Sequence, residues 1–192
     1  PLKQYMHFQF SSFNRESVSP GTEGWFANAD MSHFIRVEEN NGRREFVMFD
    51  TSGPGAIVRW WMTFYLAQGG TIRVYFDHDT LPVIQGAPDR VLSGDLLADP
   101  PFALSVHKGV LIREKGRDLD HNLYLPIPFA RHCKITYESD SLRMNTEGFY
   151  YPDVFYNIGY RRYEKSVEVE TFTMQALADA KPLLDKAGEI LL

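Results

Sequence analysis

Apolar positions are densest between Phe46 and Pro82, and their period changes along that stretch. Phe46–Phe49 is a short aromatic and branched run, and Asp50–Gly55 is a turn rich in Gly and Pro. Ala56–Leu66 is a longer apolar run, and Ala67–Gly70 closes on a Gly-Gly turn. Thr71–Phe76 then alternates. Successive strand side chains point to opposite sides, so Ile72, Val74 and Phe76 share one face while Thr71, Arg73 and Tyr75 share the other. The stretch predicts three strands. Trp60, Trp61, Phe64 and Tyr65 on the middle one predict cover on both faces, and therefore a sheet packed on another sheet.

Elsewhere the same reading predicts mostly short strands. Residues 1–10 interleave apolar and polar positions as an opening strand. Residues 11–30 hold Ser, Asn, Pro and Gly too densely for regular structure, yet carry Trp25 and Phe26, rings that call for order; this predicts a functional loop. Residues 33–39 and 44–50 read as strands joined by Asn40-Asn41-Gly42, an Asn-Gly turn signal. Pro82, Pro88, Pro100 and Pro101 predict an irregular segment with at most a helical turn near Asp95–Leu97, and residues 97–106 a loop folded over the sheet. Further strands are expected at 110–114, 121–130 and 133–139, the second demoted to an edge or kinked strand by Pro126 and Pro128. Residues 148–164 give one or two aromatic strands and 167–172 a last one. Short strands at this spacing predict a β-sandwich or jelly roll. Only the tail reads as helix: Thr173 is its N-cap, Met174, Leu177, Leu184, Ile190 and Leu191 are its apolar positions, and Pro182 is expected to kink or break it. The expected organisation is an all-β sandwich over residues 1–172 and a helical connector over 173–192 leading to a following domain. A start at Pro1 and an apolar end are what a piece of a longer protein would show.

Composition narrows the function. At 192 residues the chain can bury a real core, and 14 Phe, 10 Tyr and 3 Trp favour a β-rich fold with rings available for sugar faces. A net charge of −5 without a basic stripe lacks the footprint of nucleic-acid binding. No apolar run is long enough to cross a bilayer. The single cysteine, Cys133, excludes an intrachain disulfide and a thiolate metal cluster, and reads as a small core residue. The six histidines form no His-x-His or His-x-x-x-His pair, so no metal is expected. Nucleotide loops and a Gly-x-Ser-x-Gly elbow are missing. Asp77-His78-Asp79 reads as a polar turn, and Gly53-Pro54-Gly55 as a turn that needs no ligand. Arg161 and Arg162 should point to opposite faces, one inward and one solvated. No signal peptide is seen, so periplasmic, secreted and cytoplasmic locations all stay open.

Paired carboxylates remain, the groups that glycoside hydrolysis needs on either side of the scissile bond. Glu23 and Asp30 flank the loop from Trp25 to Asn28. There Trp25 can stack on a sugar face, while Arg15, Asn28 and Asp30 hold its hydroxyls. The competing reading is that Asp30 caps a turn and Trp25 seals one end of the sandwich.

The ordered segments 11–15 (SSFNR), 50–64 (DTSGPGAIVRWWMTF), 72–77 followed by Leu81-Pro82, 123–135 (LYLPIPFARHCKI) and 150–163 (YYPDVFYNIGYRRY) resemble a bacterial family, glycoside hydrolase family 172, over about residues 5–175. That resemblance implies a subunit of two tandem jelly rolls assembling into trimers or hexamers. It implies a retaining mechanism with two glutamates, fructose- or arabinose-type furanosides as substrates, and no obligatory metal or organic cofactor. This chain would be the first jelly roll with its connector helix, and the catalytic glutamates would lie in the second, so no catalytic residue is assigned here. Arg15, Asn28 and Asp30 take the place of the family's early binding residues, with Glu23 and Trp25 beside them. Two departures stand out: the family's Ser-Ser-Tyr-Asp-Arg has Phe13 and Asn14 here, and the loop reads GWFANAD instead of Gly-Gly-Asn-x-Asp. The alternative is a non-catalytic jelly roll that binds carbohydrate or assembles in a capsid-like manner.

Overall fold

In the computed structural model, residues 5–64, 69–93, 96–106, 120–144 and 148–191 are described. The strands are β1 (Tyr5–Ser11), β2 (Arg36–Asn40), β3 (Arg43–Ser52), β4 (Gly55–Phe64), β5 (Thr71–Phe76), β6 (Ile84–Gly86), β7 (Ala103–Val106), β8 (Asp120–Leu123), β9 (Ile127–Phe129) and β10 (His132–Glu138). Two short strands, β11 (Arg143–Met144) and β12 (Tyr150–Tyr151), precede the long β13 (Val154–Tyr163). Helices are α1 (Pro88–Leu92) and α2 (Met174–Leu191).

One sheet runs β1-β13-β4-β8-β7 with β9 beside β4, and the other runs β2-β3-β10-β5-β6; all these pairings are antiparallel. Successive main strands alternate between sheets so that β1-β13-β4-β8 faces β3-β10-β5-β6. This is jelly-roll topology. The expected β-sandwich is therefore present.

The core between the sheets is aromatic. Phe49 of β3 meets Phe10 of β1, Tyr160 of β13 and Phe129 of β9 edge-on, with ring centroids 5.0, 5.1 and 6.1 Å away. Edge-to-face contact sets the positive ring edge against the negative ring face, so the four rings specify how the sheets pack as well as that they pack. Further along, Phe64 of β4 contacts Tyr137 of β10 at 5.8 Å. Trp60, Met62 and Phe64 are fully buried, while Trp61 between them is half-covered on the outer face. Cys133 is buried in the core as expected.

Several expectations need correction. The short helix lies at Pro88–Leu92, with proline at its first turn where no N–H is needed, and Leu97 is in no helix; Asp95 lies outside the described residues. Ala103–Val106 is a strand paired to β8 rather than a covering loop. Residues 167–172 make no ladder. They are tied by Thr171 Oγ1, which donates to Asp77 and accepts from Ala130 N–H, and by Phe172 N–H, which donates to Pro128 O at 2.9 Å. Thr173 caps α2, its Oγ1 accepting from Ala176 N–H at 3.0 Å, but Pro182 does not interrupt the helix. Pro182 and Ala178 are both exposed, so water can satisfy the carbonyl that proline leaves bare. Arg161 and Arg162 are both exposed, lying over the rings of Tyr5 and Phe8 at 4.5 Å each, because the strand neighbour β1 carries a ring for either face. The strand expected over 110–114 lies outside the described residues.

Gly55 opens β4 where three strands meet: a Cβ there would sit 2.5 Å from Phe129 Cζ and 2.9 Å from Arg161 O. Gly42 needs only its φ of +78°, with open space around it. Gly55→Ala is expected to cost about 3 kcal/mol by overpacking. Gly42→Ala should cost about 1 kcal/mol for the left-handed backbone. Urea unfolding of both variants checks the order, and equal losses would show that β4 can shift to make room.

Candidate functional site

β1 ends beside the start of β13, with Ser11 opposite Asn157, and β4 ends opposite Val154. The β1–β2 connection, the β4–β5 connection and the β10–β13 segment therefore all leave from one end of the sandwich. The β1–β2 connection, residues 12–35, takes in the loop singled out in the sequence at 11–30, and also His33–Ile35, which were expected to open a strand that begins only at Arg36.

Tyr156 of β13 holds both feet of that loop. Ser12 N–H donates to Tyr156 O and Tyr156 N–H donates to Ser12 Oγ, each at 3.1 Å, while the Tyr156 hydroxyl donates to His33 O at 3.1 Å. Phe34 packs on the Tyr156 ring at 5.6 Å. Burial pushes the phenol above its usual range, so it remains a donor at any working pH.

Inside the loop, Asn14 N–H donates to Asp30 Oδ1 at 2.6 Å, and Asn14 Oδ1 accepts from Glu16 N–H at 3.0 Å, closing an Asx turn. Ser17 Oγ donates to Trp25 O at 2.8 Å. Gly24, at φ +83°, lets the chain pass Glu16, whose carbonyl would lie 3.0 Å from any Cβ there. Asp30 opens a single 3-10 turn, Asp30–Ser32.

The expected site residues thus divide. Asp30 is half-buried and tied to Asn14, and Trp25 is half-buried. Arg15 is exposed and folds back, Nη2 donating to Ser11 O at 2.7 Å and Nη1 to Phe13 O, with its guanidinium over the Phe13 ring. Glu23 and Asn28 are exposed, and Phe26 is 92% exposed. Ser12, Asn14 and Tyr156, which hold the loop, lie in the segments that carry the family resemblance but were not among the expected site residues. Their signal is faint, since each looks like an ordinary strand or turn residue.

A second polar concentration, also missed, covers the outer face of the sheet β2-β3-β10-β5-β6. Arg73 and Tyr75, on the polar face of β5, are nearly fully buried there. Glu45, with no exposed surface, accepts from Thr136 Oγ1 at 2.8 Å, Arg43 Nε at 3.0 Å and Tyr75 OH at 3.1 Å. Burial alone would raise the Glu45 carboxyl, but these donors bring it below the ordinary value. At Glu38, burial is likewise outweighed by hydrogen bonds from Lys134, Arg36 and Asn40, and the carboxyl falls from the ordinary 4.5 to about 2. Asp50 joins Arg36 to His132, whose Nε2 lies 2.6 Å from Asp50 Oδ1. Across the fold, Asp153 is pushed up by burial although Arg143 Nη1 donates to it at 3.0 Å.

Fold and loop together define a jelly-roll domain whose β1–β2 connection is held at both feet and bears exposed rings. The family model described as the GH172 first beta-sandwich domain matches residues 3–180. The chain belongs to this glycoside hydrolase family, as its first β-sandwich domain. No curated protein matches the chain.

The depressed Glu38 carboxyl makes stability depend on pH. The folded chain binds this proton more weakly than the unfolded chain, so the contribution is complete above the ordinary 4.5 and is lost as pH falls toward about 2. Glu38→Gln should flatten the fall in unfolding midpoint across that window. Parallel slopes for wild type and variant would assign the acid response to other carboxylates.

Proposed function

We propose that this chain is the N-terminal part of an enzyme hydrolysing fructose- or arabinose-type furanosides. Loop 12–35 lines the substrate, and the exposed rim at that end meets the second jelly roll and neighbouring subunits. The catalytic glutamates come from outside these residues. The observation that carries the reading is that loop 12–35 is fixed at both feet and braced from Asp30 to Asn14. Family membership supplies the reaction class.

The chemistry of the loop suits binding more than bond cleavage. A retaining glycosidase needs a nucleophilic carboxylate and an acid/base carboxyl about 5–5.5 Å apart. Asp30 already spends one oxygen on Asn14, and Glu23 is exposed. The second oxygen of Asp30 remains for a sugar hydroxyl. Trp25 and the outward Phe26 offer faces to a furanose ring. Exposed Phe13, Val18, Met144, Phe149 and Tyr150 give the same end an apolar rim of the kind that contacts between domains or subunits cover.

The test is turnover of nitrophenyl arabinofuranosides and fructofuranosides by the full-length protein and two variants. Asp30→Asn keeps an acceptor for Asn14 N–H and should fold normally, yet lose about tenfold or more in kcat/KM through the missing charged hydrogen bond. Asp30→Ala should lose at least as much activity and also about 1 kcal/mol of stability. Activity unchanged in Asp30→Asn, or falling only in step with stability, makes Asp30 structural. Turnover by residues 1–192 alone would return the catalytic pair to this chain.

A further inference from the structure

The outer face of the second sheet holds a groove of about 540 Å³. Its floor is Tyr75, His132 and Lys134; one wall is the β2–β3 hairpin and the other is the turn after β5. The size falls within the usual range of about 300–1,000 Å³ for small-molecule sites.

The turn wall is built at a cost. Asp77 and His78 take φ values of +53° and +71°, a conformation that glycine adopts freely and other residues adopt at about 1–2 kcal/mol. Asp79 N–H donates to Phe76 O at 2.9 Å, closing the turn. The Asp77 carboxylate then clamps it to its neighbours, accepting from Arg131 N–H at 2.8 Å, His132 N–H at 3.1 Å and Thr171 Oγ1. The result is that His78 lies flat on His132, ring centroids 4.1 Å apart and planes 15° from parallel, while still exposed at the groove. A glycine at 78 would close the turn more cheaply but would leave no ring there.

The lining selects the ligand's chemistry. Arg36, Arg43 and Lys134 face Glu39, Asp50 and Asp79, so the signs balance. Arg36 is already paired with Glu38 and Asp50, Lys134 with Glu38, and Arg43 with Glu45. An ionic ligand gains no net field and would compete with these pairs. An apolar ligand finds almost no apolar wall. A neutral polyol fits, because its hydroxyls both donate and accept and its C–H face packs on a flat ring.

We propose that this groove is a second carbohydrate site, taking a neutral sugar and separate from the substrate loop. Its role is to hold a glycan on the protein without cleaving it, and it is read by binding alone, independently of any hydrolytic activity.

The experiment is calorimetric titration of the full-length protein with neutral fructo-, arabino- and cello-oligosaccharides, beside galacturonate oligomers and a hexose phosphate as charged probes. At least one neutral probe should bind saturably, with Kd of about 1 mM or tighter. His78→Ala and the space-filling Thr80→Trp, both at exposed positions, should each weaken it about tenfold or more, with unfolding midpoints held. Trp25→Ala, in the substrate loop, should leave in place the binding that the two groove variants remove. No saturable uptake of any neutral probe overturns the proposal. So does tighter uptake of the charged probes, or binding that Trp25→Ala removes and both groove variants keep.

Discussion

Tyr156 is the residue on which the arrangement of the candidate site depends. Its backbone pairs with Ser12 in both directions, its hydroxyl takes the carbonyl of His33, and its ring meets Phe34. One buried strand residue thereby fixes where a loop of more than twenty residues leaves the sandwich and where it returns. A long connection that is pinned at both ends loses most of its freedom before any ligand arrives, so ordering it on binding costs less. The brace from Asp30 to Asn14 does the same within the loop.

The two faces of the second sheet show how a strand can be buried on both sides by different chemistry. Ile72, Val74 and Phe76 face the aromatic core, while Arg73 and Tyr75 turn into a layer of paired charges around Glu45. A carboxylate without exposed surface is tolerable there because four kinds of donor surround it: hydroxyl, phenol, guanidinium and amide.

Loop 12–35 and the groove lie on different surfaces of a sandwich whose core is aromatic. The domain belongs to the GH172 family as its first β-sandwich domain. The division of labour proposed above, one end for substrate and partner domains and one sheet face for glycan retention, follows from the separate chemistry of the two surfaces. The loop end has rings and an apolar rim; the groove is polar and electrically balanced.

Alternation and turn signals were enough to place most strands, because period-two burial writes itself into neighbouring residues. The inward set Ile72, Val74 and Phe76, the Asn41-Gly42 turn, the Thr173 cap and the packing of one sheet on another were all legible in this way. The brief strands Ile84–Gly86 and Ala103–Val106 were not, since three or four residues carry too little pattern and owe their strand geometry to a partner far along the chain. Residues 167–172 failed in the opposite sense: they alternate like a strand, but bonds from Thr171 to Asp77 and Ala130 hold them outside any ladder. The loop over 11–30 was marked by its composition, and Asp30 within it, but not its continuation through His33–Ile35 or the bonds that hold it. Tyr156 and Ser12 lie 144 positions apart, and no local pattern encodes a bond across that distance. The groove is the furthest case. His78 and His132 meet only because the turn after β5 lies beside the start of β10, the neighbour of β5 in the sheet. Sequence determined which residues would be buried and which would turn; tertiary pairing alone decided which distant polar groups would face one another, because hydrogen bonds and ring contacts depend on positions in space that periodicity does not record.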